Sequence, residues 1–144
     1  MAGTRKASRR GLHSEASLAD VAKYRLPVIA ASLTLLLGAV IAVLTLAPIS
    51  STAVPGSDKL HHAIAFAALA FPLCFARPRL ILPVTAAVIA YGGAIELLQP
   101  QFGRTADWAD FWADCVGAVI GSAVGAQVGV WHQRYRFSRS RPQL

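Results

Sequence analysis

Apolar residues fill long blocks of this chain instead of alternating with polar ones at a strand or surface-helix period. Residues 27–47 (PVIAASLTLLLGAVIAVLTLA) hold no charge at all. A helix that crosses the hydrocarbon of a bilayer needs about 20 such residues, with roughly 17–25 tolerated. Residues 60–76 form a second, shorter block. Residues 80–98 form a third, with Glu96 near its end, and residues 108–131 form a fourth, with acids only in its first two turns. The pattern predicts an all-α membrane protein, a bundle of four transmembrane helices. Pro72 and Pro83 fall inside the second and third blocks. Membrane helices tolerate proline where neighbours satisfy the freed carbonyl. Arg77-Pro78-Arg79 reads as a tight turn, and Pro48–Lys59 and Pro100–Asp107 read as loops.

Composition agrees. The 144 residues are 55% hydrophobic and 15% charged, with a mean hydropathy of +0.50. Soluble domains carry about 25% charged residues. A net charge of +7 would fit a nucleic-acid partner, but ten of the fourteen Lys and Arg lie in two tails, residues 1–26 and 132–144. No zinc-finger spacing or RNA-binding aromatic signature accompanies them, so no nucleic acid is expected.

The same charges orient the bundle. Arg5, Lys6, Arg9, Arg10, Lys23 and Arg25 precede the first span. Arg77 and Arg79 join the second and third, and Arg134, Arg136, Arg139 and Arg141 follow the fourth. Only Lys59 and Arg104 lie on the other side. Cytoplasmic segments carry the excess of Lys and Arg, so both termini are expected in the cytoplasm. The first apolar block is too long for a signal peptide and lacks a small-residue cleavage site after it. The N-terminal tail is expected to be flexible, with at most a short surface helix near Ser17–Arg25. Cys74 and Cys115 fall inside apolar blocks at different depths and read as free packing thiols.

This topology gathers the remaining ionisable residues at the outer face. Asp58, Lys59, His61 and His62 open the second span, and Glu96 and Gln99 close the third. Arg104, Asp107, Asp110 and Asp114 belong to the last outer loop and the first turns of the fourth. Five of the seven acids are among them. Asp58 and Lys59 lie four and three residues before His62. Glu96 and Gln99 are three apart, and Asp107, Asp110 and Asp114 follow i, i+3, i+7 spacing, so each helix presents one polar stripe. An acid below the interface costs free energy unless it faces the bundle and pairs. Lys59, Arg104 and the histidines are the expected partners. Five carboxylates against two fixed cations leave an excess. At least one of Glu96, Asp110 and Asp114 should therefore be protonated or held by His62, or the site should bind a cation or a polar headgroup.

Interfacial ion pairs that only fix helix register are the plainer reading. His61 reads as an interface residue. A metal set drawn from the histidines and acids lacks an HExxH-type spacing, so no metal or cofactor is expected. No nucleophile signature and no glycine-rich phosphate loop is present.

Gly117, Gly121, Gly125 and Gly129 recur every four residues in the fourth block, with Ala109 and Ala113 before them. Small residues at this spacing let a second backbone approach closely, a glycine zipper. Its partner is either another helix of the bundle or a second copy of the chain, as a homodimer. Trp108, Trp112 and Trp131 suit the aromatic belts at the two interfaces.

Asp58-Lys59-x-x-His62 followed by Phe66, then Glu96-x-x-Gln99, then Arg104 with Asp110, then Gly117 and Gly121, resembles the VanZ-like family over roughly residues 46–125. The likeness implies a multi-pass protein of the bacterial inner (plasma) membrane, and the family's namesake is associated with resistance to the glycopeptide teicoplanin. It implies no settled activity. Asp114 stands where the family commonly has Asn, which adds an acid to an acidic site.

Two functions follow as expectations. In the first, His62, Glu96, Gln99, Arg104 and Asp110 contact a cell-envelope ligand, either a lipid-linked precursor or the glycopeptide, with Asp58, Lys59, Asp107 and Asp114 completing the site. In the second, the site is an enzyme acting on an envelope lipid. His62, Glu96 and Asp110 are then the catalytic candidates for acid–base work, with Arg104 on a phosphate or carboxylate. A proton-coupled carrier is weaker, because no polar residues continue through the inner half of the spans.

Overall fold

A computed structural model describes the backbone of residues 4–47 and 57–139, and side chains from residue 24 onward within those ranges apart from 57, 137 and 139. Four helices carry the chain: α1 (Thr4–Leu46), α2 (Ser57–Ala76), α3 (Ile81–Leu98) and α4 (Trp108–Arg139). Each is long and apolar enough to cross a membrane. Backbone groups inside the helices bond within their own segment, which is what hydrocarbon demands, except the carbonyls four residues before Pro27 and Pro72.

The boundaries follow local chemistry. The α2–α3 connection is a single 3-10 turn, Pro78–Leu80, with Pro78 at its first position, where a missing N–H is harmless. Pro83 falls in the first turn of α3 and also deprives no intrahelical bond. Pro72 lies within α2. At the other end of α3 a 3-10 turn, Gln99–Phe102, stops at Gly103, whose φ of 75° suits a residue without a β-carbon. Four spans are expected and four helices able to span are present. The main difference is α1, which continues back through the basic segment to Thr4 instead of forming only a short stretch near Ser17–Arg25. That segment is rich in Ala, Leu, Lys and Arg, all good helix formers, and Pro27 sits inside the helix without ending it. Most of the Pro48–Lys59 loop and the end of the C-terminal tail lie outside the described residues.

Large apolar side chains point away from the bundle along residues 24–46 of α1, among them Val28, Leu35, Leu36, Val43 and Leu44. In water an apolar surface of that extent would be an aggregation or interaction face; in lipid it is simply the solvated surface. The molecule is a multi-pass membrane protein. Its core is thin: Phe66, Leu69, Ala70 and Cys74 from α2, Val84, Val88 and Ile95 from α3, Ala118 and Ala126 from α4, and Ile41 from α1. Cys74 is buried and Cys115 half-buried, both as free thiols.

The closest packing is between α2 and α4. A β-carbon added at Gly117, Gly121, Gly125 or Gly129 would come within 3.0 Å of the carbonyl oxygen of Ala63, Ala67, Phe71 or Phe75, respectively. Both numbers advance by four, so α2 and α4 run parallel and in register. The glycine seam is thus filled within the chain. Lipid tails are as apolar as leucine, so helices in a bilayer associate through such close approach rather than through the hydrophobic effect. α3 runs antiparallel between them, with Gly92 against Phe66 and Asp114, and Gly93 against Phe111. α1 leans on the outside of this trio. The Tyr91 hydroxyl donates to the Gly38 carbonyl, and the Thr34 hydroxyl reaches the Leu69 carbonyl at 3.5 Å.

Gly121→Val puts methyl groups where the Ala67 carbonyl lies. It is expected to destabilise the bundle by about 1–3 kcal/mol in reversible unfolding from detergent or bicelles. The exposed Ala123→Val, one helix face away, should stay within about 0.5 kcal/mol.

Candidate functional site

Parallel α2 and α4 present their N-termini at the same end of the bundle, where α3 presents its C-terminus. Two helix N-termini carry partial positive charge and suit carboxylates. Asp58 lies in the first turn of α2 and Asp110 in the first turn of α4. Asp107 caps α4, its Oδ1 accepting the Ala109 N–H at 2.8 Å.

Lys59 spans from α2 to this cap. Its Nζ donates to Asp107 Oδ2 and to Asp110 Oδ1, both at 3.2 Å. One turn deeper, His62 Nδ1 lies 3.0 Å from Asp114 Oδ1, so the ring N–H donates to the carboxylate. His62 Nε2 faces Asp110 Oδ2 at 3.9 Å. From the third side, Glu96 Oε2 accepts the backbone N–H of Asp107 at 2.8 Å, tying α3 to the start of α4. Exposure falls steeply with depth. The side chain of Asp107 is 52% exposed and that of Asp110 11%, while Asp114 as a residue is 0% exposed and Glu96 2%. Asp107 lies outside the spans. The Ala109 N–H first, then Lys59, hold its carboxyl below the ordinary 3.8.

The three polar stripes expected from spacing therefore do meet, and Asp58, Lys59, His62, Glu96, Asp107, Asp110 and Asp114 form one cluster. Gln99 is buried at its edge, with its carbonyl accepting the Arg104 N–H at 3.1 Å. Arg104 departs from expectation. Among the described residues it forms no ion pair with the acids. Lys59 and His62 hold them instead. The left-handed turn at Gly103 directs the following chain around the α3 end, and Arg104 lines a groove on the α1 side with Asp58, His61, His62, Ile41 and Phe66. His61, read from sequence as a bystander, belongs to that groove.

Two further residues support the site without a charge to announce them. Gly92 leaves room for Asp114; a β-carbon there would sit 3.1 Å from Asp114 Oδ2 and 3.0 Å from the Phe66 ring. The ring of Tyr91 stacks obliquely on Phe66 at 6.1 Å between centroids, closing the floor below His62. No charge or motif in the sequence pointed to Gly92 or Tyr91. Trp108 and Trp112 remain exposed on the outside of α4, as interfacial aromatics do.

A sequence model of the VanZ/LLP1 family matches residues 37–128. Four apolar spanning helices and a polar cluster at one end define the class as a small polytopic membrane protein, and the chain belongs to the VanZ/LLP1 family. The match begins inside α1 and extends further in both directions than the motif residues by themselves. No curated protein and no solved structure matches the chain.

Asp107 contributes stability that is complete above its ordinary value of 3.8 and is lost as pH falls through its lowered one. Acidification below that ordinary value should therefore cost the wild type more stability than Asp107→Asn, when melting temperatures are compared pH by pH. Parallel curves for the two proteins would remove Asp107 from the account.

Proposed function

We propose that this chain sits in the bacterial inner membrane with both termini in the cytoplasm, and that its polar cluster recognises the head of an envelope lipid at the outer face. The lysine and arginine asymmetry supports the orientation. The basic segments 1–26 and 132–144 are then cytoplasmic tails.

The observation that carries the reading is the groove beside the cluster. Asp58, His61, His62 and Arg104 line its polar end, and Ile41, Leu44, Ala65 and Phe66 its apolar part, with Ala65 and Phe66 one turn below the histidines on α2. A polar rim continuous with an apolar lining that opens past the exposed Leu44 matches a molecule with a charged head and a hydrocarbon tail. Arg104 is free of carboxylate partners among the described residues, so its guanidinium is available to fork onto a phosphate or carboxylate. The groove holds about 190 Å³. Sites that enclose a drug-sized ligand run to roughly 300–1,000 Å³. The space suits a headgroup better than a whole glycopeptide. A link to teicoplanin tolerance would accordingly run through the lipid-linked wall precursor, with the antibiotic touching only the rim.

One arrangement favours a second reading, an enzyme acting on that lipid. His62 is oriented by Asp114 through one ring nitrogen and lines the groove, an oriented imidazole suited to proton transfer. Turnover of lipid-linked phosphates or sugars by purified protein, abolished in His62→Ala, would distinguish it.

Two experiments test the proposal. A cysteine at Thr105 should react with a membrane-impermeant maleimide in intact cells, while one at Arg79 should react only after permeabilisation; the opposite pattern inverts the topology. Native mass spectrometry of the purified protein should find an anionic envelope lipid that is reduced about tenfold in Arg104→Ala, on the scale of one lost charge-assisted contact. Equal lipid occupancy in the two proteins would end the reading.

A further inference from the structure

Beneath the groove, Glu96 and Asp114 each use only one oxygen. Glu96 Oε2 takes the Asp107 N–H and Asp114 Oδ1 takes His62. The second oxygens, Glu96 Oε1 and Asp114 Oδ2, are fully buried without a hydrogen-bond partner. The residues themselves are 2% and 0% exposed. Two carboxylates with half of their acceptor capacity idle are costly in a low-dielectric interior. Lys59 cannot relieve them, since its ammonium is engaged with Asp107 and Asp110 nearer the surface.

One donor atom from each of His62, Glu96 and Asp114 lies within 4.8 Å of the other two. Nitrogen and oxygen ligands about 2.1 Å from one ion lie at most ~4.2 Å apart. The His62 Nδ1 to Asp114 Oδ1 separation of 3.0 Å already fits two ligands on adjacent vertices. Side-chain rotations of a fraction of an ångström bring in Glu96. Loading the ion moves the His62 proton from Nδ1 to Nε2, which faces Asp110 Oδ2, and exchanges the Asp114 hydrogen bond for coordination, while Glu96 stays held through Oε2 by the Asp107 N–H and offers Oε1. The charges also balance: two carboxylates and a neutral imidazole sum to minus two, which a divalent cation cancels.

We infer that His62, Glu96 and Asp114 form a buried site for a divalent first-row transition ion. Imidazole nitrogen with two carboxylates suits zinc, manganese or iron; magnesium and calcium prefer all-oxygen shells. His62 connects the site to the groove, which supplies the entry path. The ion would complete the polar floor on which a headgroup rests, but its binding does not depend on that ligand.

The test uses the full chain, stripped with a chelator, in lipid nanodiscs, with zinc alone as the probe. Equilibrium dialysis and elemental analysis should give one zinc per chain, undiminished by excess magnesium. Glu96→Gln and Asp114→Asn keep shape and remove charge, and each should weaken zinc binding by about tenfold or more. His62→Ala should do the same. Arg104→Ala, which disables the proposed headgroup contact, should leave zinc binding within about threefold, so the two proposals fail separately. Zinc should also raise the melting temperature of the wild type and not of the Glu96→Gln/Asp114→Asn double variant. Equal zinc uptake by wild type and double variant would overturn the site, as would no uptake by a wild type that melts cooperatively.

Discussion

The contact between α2 and α4 is the constraint from which the site follows. Hydrocarbon offers no reward for burying leucine, so two helices stay together in it only where their backbones come close enough for dense dispersion contact and weak Cα–H···O bonds. Four glycines stacked on four successive-turn carbonyls provide that approach. Because the stacking is parallel and in register, Ala63 with Gly117 and Ala67 with Gly121, the residues just before Ala63 lie level with those just before Gly117. His62 must then meet Asp114, one residue before Ala63 and three before Gly117, and Lys59 must meet Asp107 and Asp110. A shift by one helical turn would separate each pair and leave buried charge without a partner.

Close packing and charge placement thus act together. The seam alone would tolerate alternative registers, since its repeat is the same at every step. The ion pairs exist in one register only. Conversely, Asp114 and Glu96 are tolerated below the interface because α2, α3 and α4 are near enough to hold one oxygen of each. The parallel arrangement adds two helix N-termini behind the acids. Glu96 links α3 to this frame through a backbone N–H, so its position is independent of any titrating partner.

Much of this was legible in the sequence because membranes impose simple rules. Apolar blocks near the bilayer thickness announced four spanning helices, and i, i+3, i+4 spacing sorted the acids onto faces. The glycine repeat announced a close contact but not its partner. Pairing was harder to see. Arg104 is the better carboxylate ligand by chemistry, yet the turn at Gly103 sends it to the α1 side and leaves the shorter-range Lys59 to bridge α4. The bond from Glu96 to the Asp107 N–H depends on loop geometry that no spacing encodes. Gly92 was invisible as a site residue because its contribution is the absence of a side chain. The extension of α1 to Thr4 reflects helix propensity prevailing in a segment whose charge suggested a loose tail.

The measurement closest to the central claim is a solid-state NMR dipolar coupling in lipid bilayers between labelled His62 Nδ1 and the Asp114 side-chain carboxyl carbon. A strong coupling, as required by a nitrogen–oxygen separation of 3.0 Å, is the expected result. An uncoupled His62, with Asp114 dephased only by its own helix, would mean that α2 and α4 do not meet in parallel register and that the polar ends of the bundle never form one site.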